Sequence, residues 1–254
     1  FWIDQHEVTN AEFEEFVEAT GFVTFAEKID DSLVFIAPDS GQTRVPFMSW
    51  WHLIPEADWQ HPMGAQDSIA GKEDHPVVHI GYDDAAANCD WRGMELPTEA
   101  QYEYAARGGL EGQNYTWGNI ARHHDHTVMR HWQGEYTFDN TPEDGYNTTA
   151  PVGSYEANGF ELYDMAGNVW EWVSDWYHPD YYRNSPSKNP TGVMAEESYD
   201  PQEPGIAKRS IRGGSFLCAD NYCSGFRPSA RMPTEPNSGA VHIGFRCVNN
   251  SPKP

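Results

Sequence analysis

Cysteine is scarce in this chain, with four in 254 residues. That count excludes a disulfide-dense scaffold, and a four-cysteine cluster would consume every thiol present. Positive charge is also in short supply. Sixteen Lys and Arg stand against 39 Asp and Glu, for a net charge of −23, which argues against nucleic acid and against anionic membrane surfaces as partners. Long apolar runs are missing, so no stretch is long enough to cross a bilayer as a helix, and a soluble protein without membrane insertion is expected. No secretory leader pattern is visible in the sequence, whose opening Phe1-Trp2-Ile3-Asp4 suits a processed or trimmed N-terminus. The chain opens mid-pattern, and this has no bearing on export. No repeat of fixed period is visible.

What is present suits a packed core: 39% of residues are hydrophobic and 14% aromatic. The length fits one large domain or two small ones. Twenty-two glycines and 18 prolines predict many turns and short elements rather than a helical bundle. Charge is unevenly spread. Residues 205–254 carry seven Lys and Arg (Lys208, Arg209, Arg212, Arg227, Arg231, Arg246, Lys253) against Asp220 and Glu235. Some of these arginines are expected to pair with buried carboxylates.

Thr9-Asn10 predicts a helix N-terminus, with Phe13, Phe16 and Val17 on one face and Gly21 as the stop. Residues 22–80 read as irregular loops and short strands. His75-Pro-Val-Val-His79 has the spacing of two metal ligands on a helix, but Pro76 and the valines defeat a helix, leaving two ordinary histidines. A second helix is predicted from Asp83 or Asp84 through Cys89 to Gly93. A third follows Pro97, with Thr98 and Gln101 in capping-box spacing, and ends at Gly108-Gly109. Tandem short helices among turn-rich sequence indicate an α+β class. Residues 110–150 read as loop, including the solvated His123-His124-Asp125-His126. Asp144-Gly145-Tyr146 and Leu162 to Trp172 place carboxylates beside glycine, a weak calcium pattern. The alternative for the latter is a turn leading into a core strand with Trp170 and Trp172. Residues 173–207 read as a long surface loop.

The most pointed stretch is Arg212-Gly-Gly-Ser-Phe-Leu-Cys218-Ala-Asp-Asn-Tyr-Cys223, which holds two of the four cysteines. Two thiolates are soft ligands that favour Cu(I), zinc or iron–sulfur. A closed zinc site or a cluster wants four ligands, so a two-thiolate Cu(I) site or a redox pair fits the count better. From the spacing alone a plain disulfide is the favoured reading, ahead of a metal site and of free thiols.

Glu7-Val-Thr-Asn10, Thr20-Gly-Phe22, Ala26-Glu-Lys28, His75 to His79, Leu96-Pro-Thr-Glu99, Tyr104 to Gly109, Trp117-Gly-Asn119, Trp132-Gln-Gly-Glu135, Gly167-Asn168, Trp170-Glu-Trp172, Arg212 to Ser215 and Gly244-Phe-Arg246 together resemble the formylglycine-generating enzyme family. The resemblance runs from about residue 1 to 248, and implies a single domain over 1–254 with the C-type-lectin-like fold of that family. The fold has two main helices, short strands and little regular structure. The Gly-Gly-Ser-x-x-Cys-x-x-x-Tyr-Cys stretch is its specific part.

The resemblance implies a copper-dependent oxidase. Cys218 and Cys223 would hold Cu(I), with Ser215, Tyr222 and Trp170 beside it. The substrate would be an unfolded sulfatase polypeptide whose Cys-x-Pro-x-Arg cysteine becomes Cα-formylglycine at the expense of O2. Ala26 and Ser32 match the family's peptide groove. Asp164, Met165, Gly167, Val169 and Glu171 match a calcium site. Cys89 and Cys247 match a disulfide, which suits an exported protein, although the family also works in bacterial cytosol. A monomer is expected. A second calcium site of the family corresponds to Arg130, His131, Asp144 and Tyr146. Here Arg130 stands where an Asn ligand is found, and a guanidinium cannot ligate a cation, so that ion is expected to be lost or weakened, with Arg130 pairing with Asp144 instead. Gly225 stands where some relatives have Arg, which changes how the loop after Cys223 is braced. The alternative function is a non-catalytic binding module of the same fold with Cys218–Cys223 as a disulfide. Iron chemistry of the ergothioneine-synthase type wants a His-x-x-x-His-x-Glu arrangement, which His79-Ile-Gly does not continue.

Overall fold

A computed structural model describes residues 1–38, 46, 48–120, 128–134, 136–138, 140–219 and 222–251. The His123–His126 run lies outside the described residues.

Helix α1 (Asn10–Thr20) starts where Thr9 accepts the Glu12 amide while Glu12 accepts the Thr9 amide. This capping box satisfies two amides that no helical carbonyl reaches. Phe13 and Phe16 are buried, and Gly21 ends the helix in the left-handed region at φ 65°. A second capping box, Thr24 with Glu27, opens the short α2 (Phe25–Ile29) inside the stretch read as loop. Its five residues are too few to display a helical period in sequence. Strand β1 (Trp2–Ile3) precedes α1, and β2 (Asp31–Phe35) pairs antiparallel with β3 (Trp51–Pro55). Helix α3 (Tyr82–Trp91) and helix α4 (Glu99–Arg107) fall where the sequence places them, α4 with the Thr98–Gln101 box and Gly108 as stop.

The centre is a four-stranded sheet. Strand β4 (Trp170–Trp176) lies between β5 (Arg209–Arg212), antiparallel, and β7 (Ile243–Gly244), parallel, while β6 (Met232–Thr234) forms the outer edge beyond β5. Strand β8 (Val248–Asn249) pairs with β1. The surface-loop reading of 173–207 is therefore corrected at its start. Residues 173–176 continue β4, with Val173 and Asp175 buried. A strand covered on both faces lacks the in–out alternation that would mark it. Beyond it lie a four-residue helix α5 (Tyr181–Asn184) and one 3-10 turn (Ala195–Glu197).

Three arginines of the basic C-terminal segment pair with buried carboxylates, as expected. Buried Glu99 takes Arg231 at 2.6 Å and lies 3.5 Å from Arg212, and Glu171 takes Arg246 at 2.7 Å. Cys89 in α3 is bonded to Cys247, just before β8, which joins residues 158 apart in sequence. His75 and His79 are separate, ordinary histidines. His75 meets the Thr149 hydroxyl, and His79 meets the Ser32 hydroxyl and the Pro62 carbonyl, each at 2.8–2.9 Å.

Candidate active site

Beyond β5 the chain must reverse tightly, and two glycines allow it. Gly213 and Gly214 have φ of 90° and 77°, where side-chain-bearing residues are strained. A Cβ on Gly214 would stand 2.6 Å from the Phe226 amide nitrogen. The segment 214–219 thus packs directly under the loop that follows Cys223. The Ser215 carbonyl accepts the Cys218 amide at 2.9 Å, and the Ala219 carbonyl accepts the amides of Tyr222 and Cys223 at 3.0 and 2.8 Å. These turns bring Cys218 and Cys223 together with Cα atoms 4.9 Å apart, joined as a disulfide.

The pair opens on a cleft of about 550 Å³, and Ser215, Trp170 and Tyr222 line the same cleft. Cys218 is 2% exposed and its carbonyl accepts the Trp132 amide at 2.9 Å. The Ser215 hydroxyl oxygen accepts the Leu217 amide at 3.2 Å, which leaves its proton unconstrained. Tyr222, 44% exposed, stacks on Tyr136 with centroids 4.1 Å apart. Burial, and then the neighbouring Tyr222, raise the Tyr136 pKa far above neutrality, so its phenol stays protonated. Gly225 donates its amide to Cys223 Sγ at 3.3 Å, and a Cβ there would meet the Trp170 ring at 2.5 Å. The loop after Cys223 is thus braced by Trp170 against a bare backbone.

His242 also lines the cleft and carries no motif that singles it out in sequence. The β4–β7 pairing delivers it, since its carbonyl accepts the Trp170 amide at 2.8 Å. Its ring lies 4.8 Å from Trp51, and Nδ1 has no partner among the described residues. Burial, and then His79, lower its pKa to about 3, which fixes a neutral imidazole at the cleft wall. Ala26 and Ser32 are buried and are not among the residues lining this cleft. The Ser32 hydroxyl is engaged with His79 and the Gly239 carbonyl.

The residues matched to calcium sites behave in two ways. Glu171 is engaged by Arg246 and by Tyr102. Asp164 Oδ2 accepts the Gly153 amide, but its buried Oδ1 has no partner among the described residues. Burial raises the Asp164 pKa to about 6. Among the described residues, both carboxylate oxygens of buried Glu7 also lack a hydrogen-bond partner. Burial first, then Asp164, raise the Glu7 pKa well above the usual range, against the lowering effect of Arg246 at 4.0 Å. Arg130, fully buried, donates to the carbonyls of Thr148, His131 and Tyr146 and to Asp144 at 3.3 Å. The expected Arg130–Asp144 pair is therefore formed. Among the described residues, no three His, Cys, Asp or Glu side chains converge as metal ligands.

The profile of the sulfatase-modifying factor enzyme 1-like domain matches residues 1–251. The chain belongs to this family. It is 45% identical over 257 residues to the formylglycine-generating enzyme of Streptomyces coelicolor, covering 99% of this chain and 78% of that protein. It is 41% identical to the formylglycine-generating enzyme of Bos taurus over 255 residues, 98% of this chain and 65% of that protein. The structure of PvdO from Pseudomonas aeruginosa, 26% identical, matches with a TM-score of 0.63, covering 96% of this chain and 78% of that one. The α+β, C-type-lectin-like expectation for the fold agrees with these likenesses and with the short helices and strands observed.

Proposed function

We propose that the chain oxidises a cysteine of an unfolded sulfatase polypeptide to Cα-formylglycine, with O2 as oxidant. The observation that carries this reading is the gathering of Cys218, Cys223, Ser215, Trp170 and Tyr222 on one cleft, in a chain whose relatives bear the name formylglycine-generating enzyme.

Once the Cys218–Cys223 disulfide is reduced, two thiolates stand side by side with no carboxylate or imidazole completing a ligand set among the described residues. That donor set suits Cu(I), which binds soft sulfur and tolerates low coordination. When bound, the copper supplies a one-electron path between a thiol and O2. The residues of the chain do the rest. Turns at Ser215 and Ala219 hold the two sulfurs together, and the Gly225 amide steadies Cys223 Sγ. Trp170 and Trp51 wall the cleft against water, neutral His242 adds a polar but uncharged contact, and the free Ser215 proton is available to a sulfur or oxygen of the substrate. The Tyr136–Tyr222 stack forms a rim for an extended peptide.

Conversion of the cysteine thiol carbon to an aldehyde, with release of hydrogen sulfide, removes two electrons, while reduction of O2 to the level of water takes four. Two more electrons and two protons therefore come from an external thiol, the class of reductant that also opens the disulfide. Calcium would be held by the unpartnered Asp164 Oδ1 with the carbonyls of Met165, Gly167 and Val169, and Glu171 near it.

The test is O2 uptake and mass spectrometry with a Cys-x-Pro-x-Arg peptide and reduced, Cu(I)-loaded protein. Loss of sulfur and appearance of an aldehyde, abolished by Cys218→Ala and by Cys223→Ala, is the expected result. No turnover, with no copper uptake by the reduced pair, would favour the binding module in which the disulfide is permanent.

A further inference from the structure

The oxygen atoms around Arg130 form a cation cage. Three backbone carbonyls and a carboxylate converge on one buried group: Thr148 O on Nε at 2.7 Å, Tyr146 O on Nη2 at 2.7 Å, and His131 O with Asp144 Oδ2 on Nη1. Asp144 is itself fixed, since Tyr155 donates its hydroxyl to Oδ2 at 3.0 Å and the Tyr146 amide reaches Oδ1 at 3.1 Å. Oxygen-only surroundings of carbonyls and one carboxylate are what a hard divalent cation requires. A buried carboxylate among carbonyls with nothing positive at its centre would be strongly disfavoured.

We infer that the Arg130 guanidinium is a tethered cation that fills this cage in place of a divalent metal ion, and that removing it opens the cage to calcium. The family's second calcium ion does not fit the residues present, as the sequence leads one to expect, because its volume and its ligands are taken. The planar guanidinium has five N–H donors, and four bonds to four different acceptors use the cage almost completely.

The cage bears on the cysteine cleft. The Arg130 carbonyl accepts the Asn168 amide, and the Asn168 carbonyl accepts the Phe216 amide, both within 2.8–2.9 Å. Two residues after Arg130, the Trp132 amide holds the Cys218 carbonyl. The guanidinium carbon also lies 6.0 Å from the Phe216 ring. The backbone leaving the cage is therefore one wall of the catalytic segment. An ion covalently part of the chain holds that wall at any external calcium concentration.

The inference is independent of copper chemistry and its readouts are calcium stoichiometry and thermal unfolding. Isothermal titration with Ca²⁺ and unfolding in EDTA or Ca²⁺ would be run on wild type, Arg130→Asn, Asp144→Asn and the double variant. Arg130→Asn is expected to bind one more Ca²⁺ per chain than wild type, with a melting temperature that rises with Ca²⁺, and Asp144→Asn in that background should abolish both changes. Asp144→Asn alone should destabilise the chain without altering its Ca²⁺ stoichiometry. Arg130→Lys, which keeps the charge but not the four bonds, should melt lower and still gain no ion. A wild-type stoichiometry that falls by one on Asp144→Asn would overturn the inference, as would an Arg130→Asn protein that melts identically in EDTA and in Ca²⁺.

Discussion

Mild thiol reduction under native conditions should separate the two disulfides. Cys89 and Cys247 are both 0% exposed in the main core, whereas Cys223 is only partly buried and lines the cleft. A thiolate reductant must reach a sulfur to attack it, so the Cys218–Cys223 bond should open first and without unfolding. The stability consequences differ as well. Cross-links spanning 158 and 5 residues restrict the unfolded chain by about 5 and about 2 kcal/mol respectively on a loop-entropy scale. For a chain of this size the long link corresponds to a fall of roughly 10–20 °C in melting temperature and the short one to roughly 4–8 °C. The assay is timed alkylation with peptide mapping, followed by calorimetry of the singly reduced species. Alkylation of all four cysteines at one rate would refute the argument. So would a singly reduced protein that has lost as much stability as the Cys89→Ala/Cys247→Ala variant.

Glu99→Gln removes the carboxylate that holds Arg231 at 2.6 Å, while Arg212 keeps Glu103 at 2.8 Å, and it should cost about 3 kcal/mol in urea unfolding because the largely buried Arg231 charge loses its partner. Burial, and then Glu99, raise the Asp175 pKa to about 7. The folded state therefore holds a proton that the unfolded state releases near pH 4, and stability should fall as pH rises from about 4 to 7. Asp175→Asn should reduce that slope, to which the raised Asp84 and Asp164 also contribute, and an unchanged slope by pH-dependent denaturation would contradict the assignment. Gly214→Ala combines a positive φ with a Cβ placed 2.6 Å from the Phe226 amide. It should lower stability by about 2 kcal/mol or more and prevent Cys218 and Cys223 from cross-linking, as read by thiol titration of the oxidised protein.

How much was legible in sequence follows the range of the forces involved. The boxes at Thr9–Glu12 and Thr98–Gln101 are hydrogen bonds spanning three residues, so α1 and α4 were visible in the residue pattern. Thr24–Glu27 has the same spacing, but α2 is one turn long and no apolar period confirms it. The tail of β4 was missed because it is held by β5, more than 30 residues later, and packs on both faces. The same divide runs through the site. Cys218 and Cys223 are local to one glycine-led loop and stood out at once. His242 and Trp51 reach the cleft through strand pairing, which no local spacing encodes, and the Ser32–His79 contact joins residues 47 apart that nothing local connects. The Arg130–Asp144 pair was foreseen from opposite charges on implied ligand positions, but the three carbonyls that complete the cage come from backbone geometry alone.

The ladder between β1 and β8 sets Trp2 opposite Asn249, so the two ends of the fold lie side by side. The order in which the segments are strung is thus separable from the shape they build. A short linker joining those ends, with new termini cut in the exposed stretch 186–189, would give a circular permutant whose cleft is built from the same neighbours. For a protein acting on polypeptides, that freedom lets a tether or a second module be attached at 186–189 while the residues that line the cleft keep their neighbours.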